Sequence, residues 1–125
     1  MGKVITSSLS KIREHEAGLK LFIVLRPGTV SIKGLHHKPD LAPSKELFLW
    51  AQEHKHEPGW FQTYAQWFRR DMEQRPGLRA ALNQIETLAT TQDVLLVCFC
   101  ADPYQCHRSL IAQELQRRGV TVELY

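Results

Sequence analysis

The segment Asp93-Val94-Leu95-Leu96-Val97-Cys98-Phe99-Cys100 constrains this chain most: it is a near-continuous apolar run of strand length. A strand with one wet face alternates apolar and polar residues, whereas such a run suits a strand buried on both faces of a parallel sheet. A second run, residues 19–25, stops at Arg26-Pro27-Gly28, because proline cannot donate to a ladder and glycine turns the chain. Short strands are expected at 3–6 and 120–124, the latter after Arg117-Arg118-Gly119, whose basic residues and glycine mark a helix end.

Between the two long runs the spacing becomes helical. Ser44 suits an N-cap, Glu46 the first turn, and Leu47, Trp50 and Ala51 share one face. Phe61, Tyr64, Phe68 and Met72 recur at i, i+3, i+7 and i+11, and Leu78, Leu82 and Ile85 continue the pattern after Pro76-Gly77. A last helix is expected over about 106–118, with Ile111 and Leu115 facing inward. Strands alternating with helices predict an α/β fold of three layers, a small, mostly parallel sheet flanked by helices. At 125 residues, the expectation is a single domain over 1–125.

Hydrophobic residues make up 43% and charged residues 23% of the chain, a balance that excludes a disordered or membrane-embedded class. No apolar run approaches the roughly 20 residues of a membrane span. The polar start Met1-Gly2-Lys3 lacks a signal peptide's apolar stretch, so a cytoplasmic protein with no membrane partner is expected. Three cysteines, an odd count without an export signal, argue for reduced thiols. The net charge of +3 is uneven: residues 1–38 hold seven Lys/Arg against two Glu, and the remainder nine against eleven acidic residues. A solvated surface is the preferred reading of that bias, and a rim attracting phosphate or nucleic acid the alternative.

Chemistry concentrates where the strongest strand ends. Strand, short loop 101–105, then helix is the half-unit that places sites at the carboxyl edge of an α/β sheet. Cys106, His107, Arg108 and Ser109 fall in the first helical turn, where free N–H groups and the helix dipole favour anions, and Arg108 adds a fork suited to phosphate. The same field lowers a thiol pKa, making Cys106 a candidate nucleophile with His107 as its acid/base partner. Cys98 is expected to be core and less accessible than Cys106. A competing reading pairs Arg108 with a carboxylate such as Asp102 or Glu114.

Counting excludes two thiol motifs. A phosphatase-type loop needs five residues between Cys and Arg, but the sixth residue after Cys100 is Cys106 and after Cys98 is Tyr104. Sulfur-transferase spacing, with four between, meets Gln105 after Cys100. Zinc has four candidate ligands in Cys98, Cys100, Cys106 and His107, but adjacent Cys106 and His107 are poorly disposed to share one ion and paired two-residue knuckles are absent. Zinc is therefore kept only as the weaker alternative, and no metal and no cofactor are assigned. His36-His37 and His54/His56 read as solvated. Trp60 and Trp67, one heptad apart, read as core, with a ligand wall or dimer face as alternatives.

From Cys98 through Cys106-His107-Arg108 to Leu110-Ile111-Ala112, the chain resembles the bacterial and archaeal family of domain of unknown function 488, in which a strand-ending Cys precedes Cys-His-Arg by seven residues. Ile5-Thr6-Ser7, Arg26-Pro27 and Leu41-Ala42-Pro43-Ser44 are similar to further family segments, so the resemblance spans nearly the whole chain. Cys100 departs from it, standing where many members carry an acidic residue. The resemblance implies a parallel α/β fold and a shared pocket lined by Ser7, Arg26, Cys106, His107 and Arg108, but names no reaction.

Three functional classes follow. The first is an enzyme or binding protein for a nucleotide, modified base or other phosphorylated small molecule, with Arg26 and Arg108 clamping the anion and His107 moving a proton. The second is a nucleic-acid module using Lys11, Arg13, Lys33 and Lys38 with Trp60 and Trp67. The third is a redox or metal-responsive protein using Cys98, Cys100 and Cys106.

Overall fold

The computed structural model describes residues 2–16 and 18–125, so Met1 of the polar terminus lies outside the described residues. In chain order the elements are β1 (Val4–Ser8), β2 (Leu19–Phe22), β3 (Leu35–His37), α1 (Lys45–His54), α2 (Trp60–Gln74), α3 (Pro76–Leu88), β4 (Val94–Cys98), α4 (His107–Arg117) and β5 (Val122–Leu124). Short 3-10 helices cover Leu9–Glu14 and Pro39–Leu41. The strands form one all-parallel sheet in the order β3-β2-β4-β1-β5, so the chain has the α/β fold that the alternation predicts.

The two apolar runs are direct parallel neighbours, in register from Leu19↔Val94 to Phe22↔Val97. β4 and β1 are buried at every position, as central strands covered on both faces must be. Both runs end earlier than their hydrophobicity suggests. Ile23 still donates to the Val97 carbonyl at 2.9 Å, after which the chain leaves the ladder, and beyond Cys98 both Phe99 and Cys100 are exposed.

Helix packing completes the core. Ser44 caps α1 by accepting from the Leu47 N–H at 3.1 Å, and Leu47 is fully buried. Tyr64, Phe68 and Met72 of α2, Leu78, Leu82 and Ile85 of α3, and Leu110, Ile111 and Leu115 of α4 are buried together against the sheet. Each such side chain contributes about 1.5–3 kcal/mol on burial. Leu96→Ala in the middle of β4 would cost about 2–5 kcal/mol, a large part of a small domain's margin. α4 stops where Gly119 takes φ 90°, a left-handed conformation open to glycine without steric cost.

One strand escaped the sequence pattern. His36 and His37, expected in a loop, belong to β3, a three-residue edge strand too short to show a period. His37 Nε2 lies 2.7 Å from the Val24 carbonyl and fastens the exit of β2. Among the described residues no helix is long and apolar enough to cross a membrane.

The topology locates a crevice. From β2 the chain runs outward to β3, whereas from β4 it passes through α4 over β1 to β5 on the other side. Adjacent parallel strands whose connections depart in opposite directions leave a cleft between their carboxyl ends, and ligands of open α/β sheets bind there.

Candidate functional site

A cavity of about 320 Å³ occupies this switch point. The exit of β2 supplies Val24, Leu25 and Arg26 to its lining, and the exit of β4 supplies Cys98, Phe99 and Cys100. Gln105, Cys106 and His107 enter from the start of α4. Phe48 and Gln52 of α1, Lys55 at its C-cap, and Trp60 and Tyr64 of α2 close the opposite side. Arg26 lies over the Phe48 ring, 5.9 Å from its centroid, and Trp60 meets Tyr64 edge to face. The lining contains no Asp or Glu, so Arg26 and Lys55 dominate its charge.

Three thiols and one imidazole meet at one end. Cys98 and Cys106 Sγ are 3.2 Å apart, and all three cysteine sulfurs lie within 4.8 Å of one another. His107 is buried, its ring edge against Phe68, and its Nε2 is 2.7 Å from the Ile23 carbonyl. Since a carbonyl only accepts, Nε2 carries the proton, and the lone pair of Nδ1 faces Cys106 Sγ at 3.5 Å. Burial disfavours the imidazolium and lowers the His107 pKa, so the ring is held neutral. Adjacent Cys106 and His107 make this contact because Cys106 is extended (φ −150°, ψ 151°) while His107 begins the helix, and the sulfur cluster itself does not include His107.

Burial bears on the expected order of the thiols: Cys106, expected to be more accessible than Cys98, is buried as Cys98 is. Burial pushes the Cys106 thiol up, outweighing the helix dipole that the sequence reading relied on. Hydrogen bonding to Cys100, together with burial, raises Cys98 as well. Cys100 is held low by hydrogen bonds from Cys106 and Cys98, with His107 and Arg108 adding to the effect. Accessibility follows the same division: Cys98 and Cys106 are both buried and only Cys100 is exposed. Burial pushes the Tyr64 hydroxyl further up, so it stays protonated at the cavity wall.

The remaining expected site residues separate. Arg26 is exposed at the mouth of the cavity. Arg108 is fully buried behind the loop, outside the cavity lining, and donates from Nη2 to the Cys100 and Ala101 carbonyls at 3.2 and 3.5 Å. Its Nε and Nη1 have no partner among the described residues. Neither proposed carboxylate reaches it: Asp102 accepts from the Tyr104 N–H at 2.8 Å, and Glu114 is taken by Arg117 and Arg118. Ser109 donates to the Cys106 carbonyl at 2.7 Å, bracing the helix start, and Ser7 donates to the Ser8 carbonyl at 3.1 Å within β1, away from the cavity. Trp60 packs on the core and also forms cavity wall, while Trp67 packs toward Trp50, their ring centroids 6.3 Å apart.

Lys55 and Tyr64 line the cavity although the sequence reading did not name them there, and so do Cys98 and Cys100, which that reading placed only in the core or in the redox or metal-responsive class. A signal existed for the cysteines, which share one face of a strand ending at the sheet edge. None existed for Lys55 or Tyr64, which reach the cavity only through tertiary packing of α1 and α2.

Fold, edge and cysteine spacing agree with one family, and the chain belongs to it: the family model described as DUF488-N3a, Active DUF488-N3 subclade, matches residues 4–119. No curated protein and no solved structure matches the chain.

Proposed function

We propose that the cavity binds a flat, anionic small molecule, namely a nucleotide, modified base or other phosphorylated compound, and that the thiol and imidazole cluster acts on it. One observation carries this reading: a switch-point cavity combines two cations without carboxylate partners, aromatic walls and a thiol-imidazole floor. Phosphate or carboxylate meets Arg26 and Lys55, and a ring system lies against Phe48 and Trp60. Arg26 takes over the anion-holding role that the sequence shared with Arg108, since a guanidinium turned to the Cys100 and Ala101 carbonyls has no route to a ligand. In the proposed chemistry Cys100, the exposed thiol of the cluster, meets the ligand, while His107 stays neutral with its Nδ1 lone pair beside Cys106 Sγ. The word active in the matched subclade's description accords with a working site. The nucleic-acid reading is weakened because Trp60 and Trp67 pack against the core and offer no open stacking platform.

The test is a melting-temperature series of the reduced, metal-free chain with inorganic phosphate, sulfate and nucleoside monophosphates. A nucleoside monophosphate should raise the melting point of the wild type. Arg26→Ala should weaken that binding about tenfold or more, the loss of a charge-assisted hydrogen bond of about 1.5–3 kcal/mol, with little change in the unliganded melting point. A wild type that responds to none of these anions would refute the reading.

A further inference from the structure

We propose that Cys98, Cys100 and Cys106 form a three-thiolate site for a zinc-class divalent metal ion, with its fourth coordination position open to the cavity. The inference goes beyond the ligand-binding reading and stands without it. Tetrahedral zinc bound at about 2.3 Å from sulfur sets neighbouring sulfurs about 3.8 Å apart. The three Sγ atoms lie within 4.8 Å of one another and the closest pair is at 3.2 Å, so closing on an ion needs side-chain shifts of about 1 Å or less. Their approach directions differ usefully. Cys98 and Cys106 are buried and Cys100 is exposed at the cavity, which is the arrangement of a site that keeps one position for water or ligand.

Arg108 is the independent second observation. A fully buried guanidinium with two unpartnered nitrogens and no carboxylate partner among the described residues needs a buried negative charge. It donates to the carbonyl of Cys100, one of the three clustered thiol residues, at 3.2 Å, so the proposal places that charge on the thiol cluster. Charge then selects the ion. Three thiolates around a divalent cation carry one net negative charge, which a single guanidinium balances, whereas monovalent copper would leave two. Three sulfurs and no oxygen ligand disfavour magnesium and calcium. On binding, each thiol still protonated releases its proton to solvent as its sulfur–metal bond forms, and no sulfur changes oxidation state. His107, whose Nδ1 faces Cys106 alone, stands beside the ion.

The reduced chain of 125 residues, stripped with a chelator, is titrated with cobalt(II) and then with zinc. One cobalt per chain should bind, with the near-ultraviolet charge-transfer band of thiolate ligation and the visible bands of tetrahedral cobalt, and zinc should displace it. Cys100→Ser removes an exposed ligand, so the variant should fold, as far-ultraviolet circular dichroism will verify. It should bind cobalt at least about 100-fold more weakly, since losing even an outer partner of a ligand costs about 10–100-fold. A wild type without the charge-transfer band, or a folded Cys100→Ser variant weakened less than about tenfold, would overturn the site. The nucleotide series is read on metal-free protein, so a failure there removes the ligand reading alone and a silent cobalt titration removes the metal site alone.

Discussion

The two ends of α4 handle arginine in opposite ways. At the C-terminal end Arg118 donates to Glu114 at 2.7 Å and to Glu86 at 3.1 Å, while Arg117 makes a second pair with Glu114. These guanidinia have carboxylates and lie where the helix dipole favours cations. At the N-terminal end Arg108 is fully buried on the unfavourable side of that dipole, with the Cys100 and Ala101 carbonyls as its partners. One end is a fastening between α4 and α3; at the other, no carboxylate among the described residues pairs with the guanidinium. On the function proposed above, the unpaired cation belongs to the site and the paired cations a few turns away to the scaffold.

The largest effect that can break this contrast comes from Arg108→Ala. Removing it deletes a buried side chain and two carbonyl bonds, so about 3 kcal/mol of stability should go, lowering the melting point by about 10 °C. The substitution should also slow alkylation of Cys100, because the positive charge that helps hold this thiol low is lost. A destabilised variant with unchanged Cys100 reactivity would make Arg108 a structural plug. Arg118→Ala sharpens the other side. It removes a half-buried pair network and should cost about 1 kcal/mol while leaving thiol reactivity untouched.

The smallest effect is in the acid limb. Hydrogen bonding from Arg117, with Arg118 adding to it, holds the Glu114 carboxyl below its ordinary value of 4.5. A depressed carboxylate contributes stability that is present above its unfolded pKa and lost as pH falls through the lower folded value. Glu114→Gln should therefore show a shallower loss of stability below about pH 4.5 than wild type, by a fraction of a kcal/mol. Chemical unfolding at a series of acidic pH values measures it, and parallel curves would show that the distal pairs contribute nothing.

The fold was legible because the elements that decide it carry strong local patterns. Residues 93–100 and 19–25 could hardly be anything but inner strands, and they are neighbours. Ser44 and Gly119 marked helix ends by cap chemistry alone. The edge strand β3 was not legible, since three residues set no period and its pairing depends on β2 being in place. For the candidate site, the turn that the sequence singled out lines the cavity, where the structure brings Cys106, His107 and Arg26 together. Sequence could not assign roles within that turn. Whether an arginine at the start of a helix points to solvent or into the protein depends on the loop folded over it, and Arg108 lies beneath residues 100–101. The helix dipole argued for a low thiol at Cys106, yet burial, which periodicity does not reveal at a helix start, reverses that order in favour of Cys100.

The rate at which each cysteine is alkylated in the native, reduced, metal-free chain tests the central claim most directly, because it reads accessibility, thiol state and ligand contact together. Peptide mapping should find Cys100 labelled well before Cys98 and Cys106, and a nucleoside monophosphate should slow that labelling in wild type but not in Arg26→Ala. If Cys106 or Cys98 is labelled first, or if Cys100 reacts at the same rate with and without the nucleotide, the cavity between β2 and β4 is not the functional site described above.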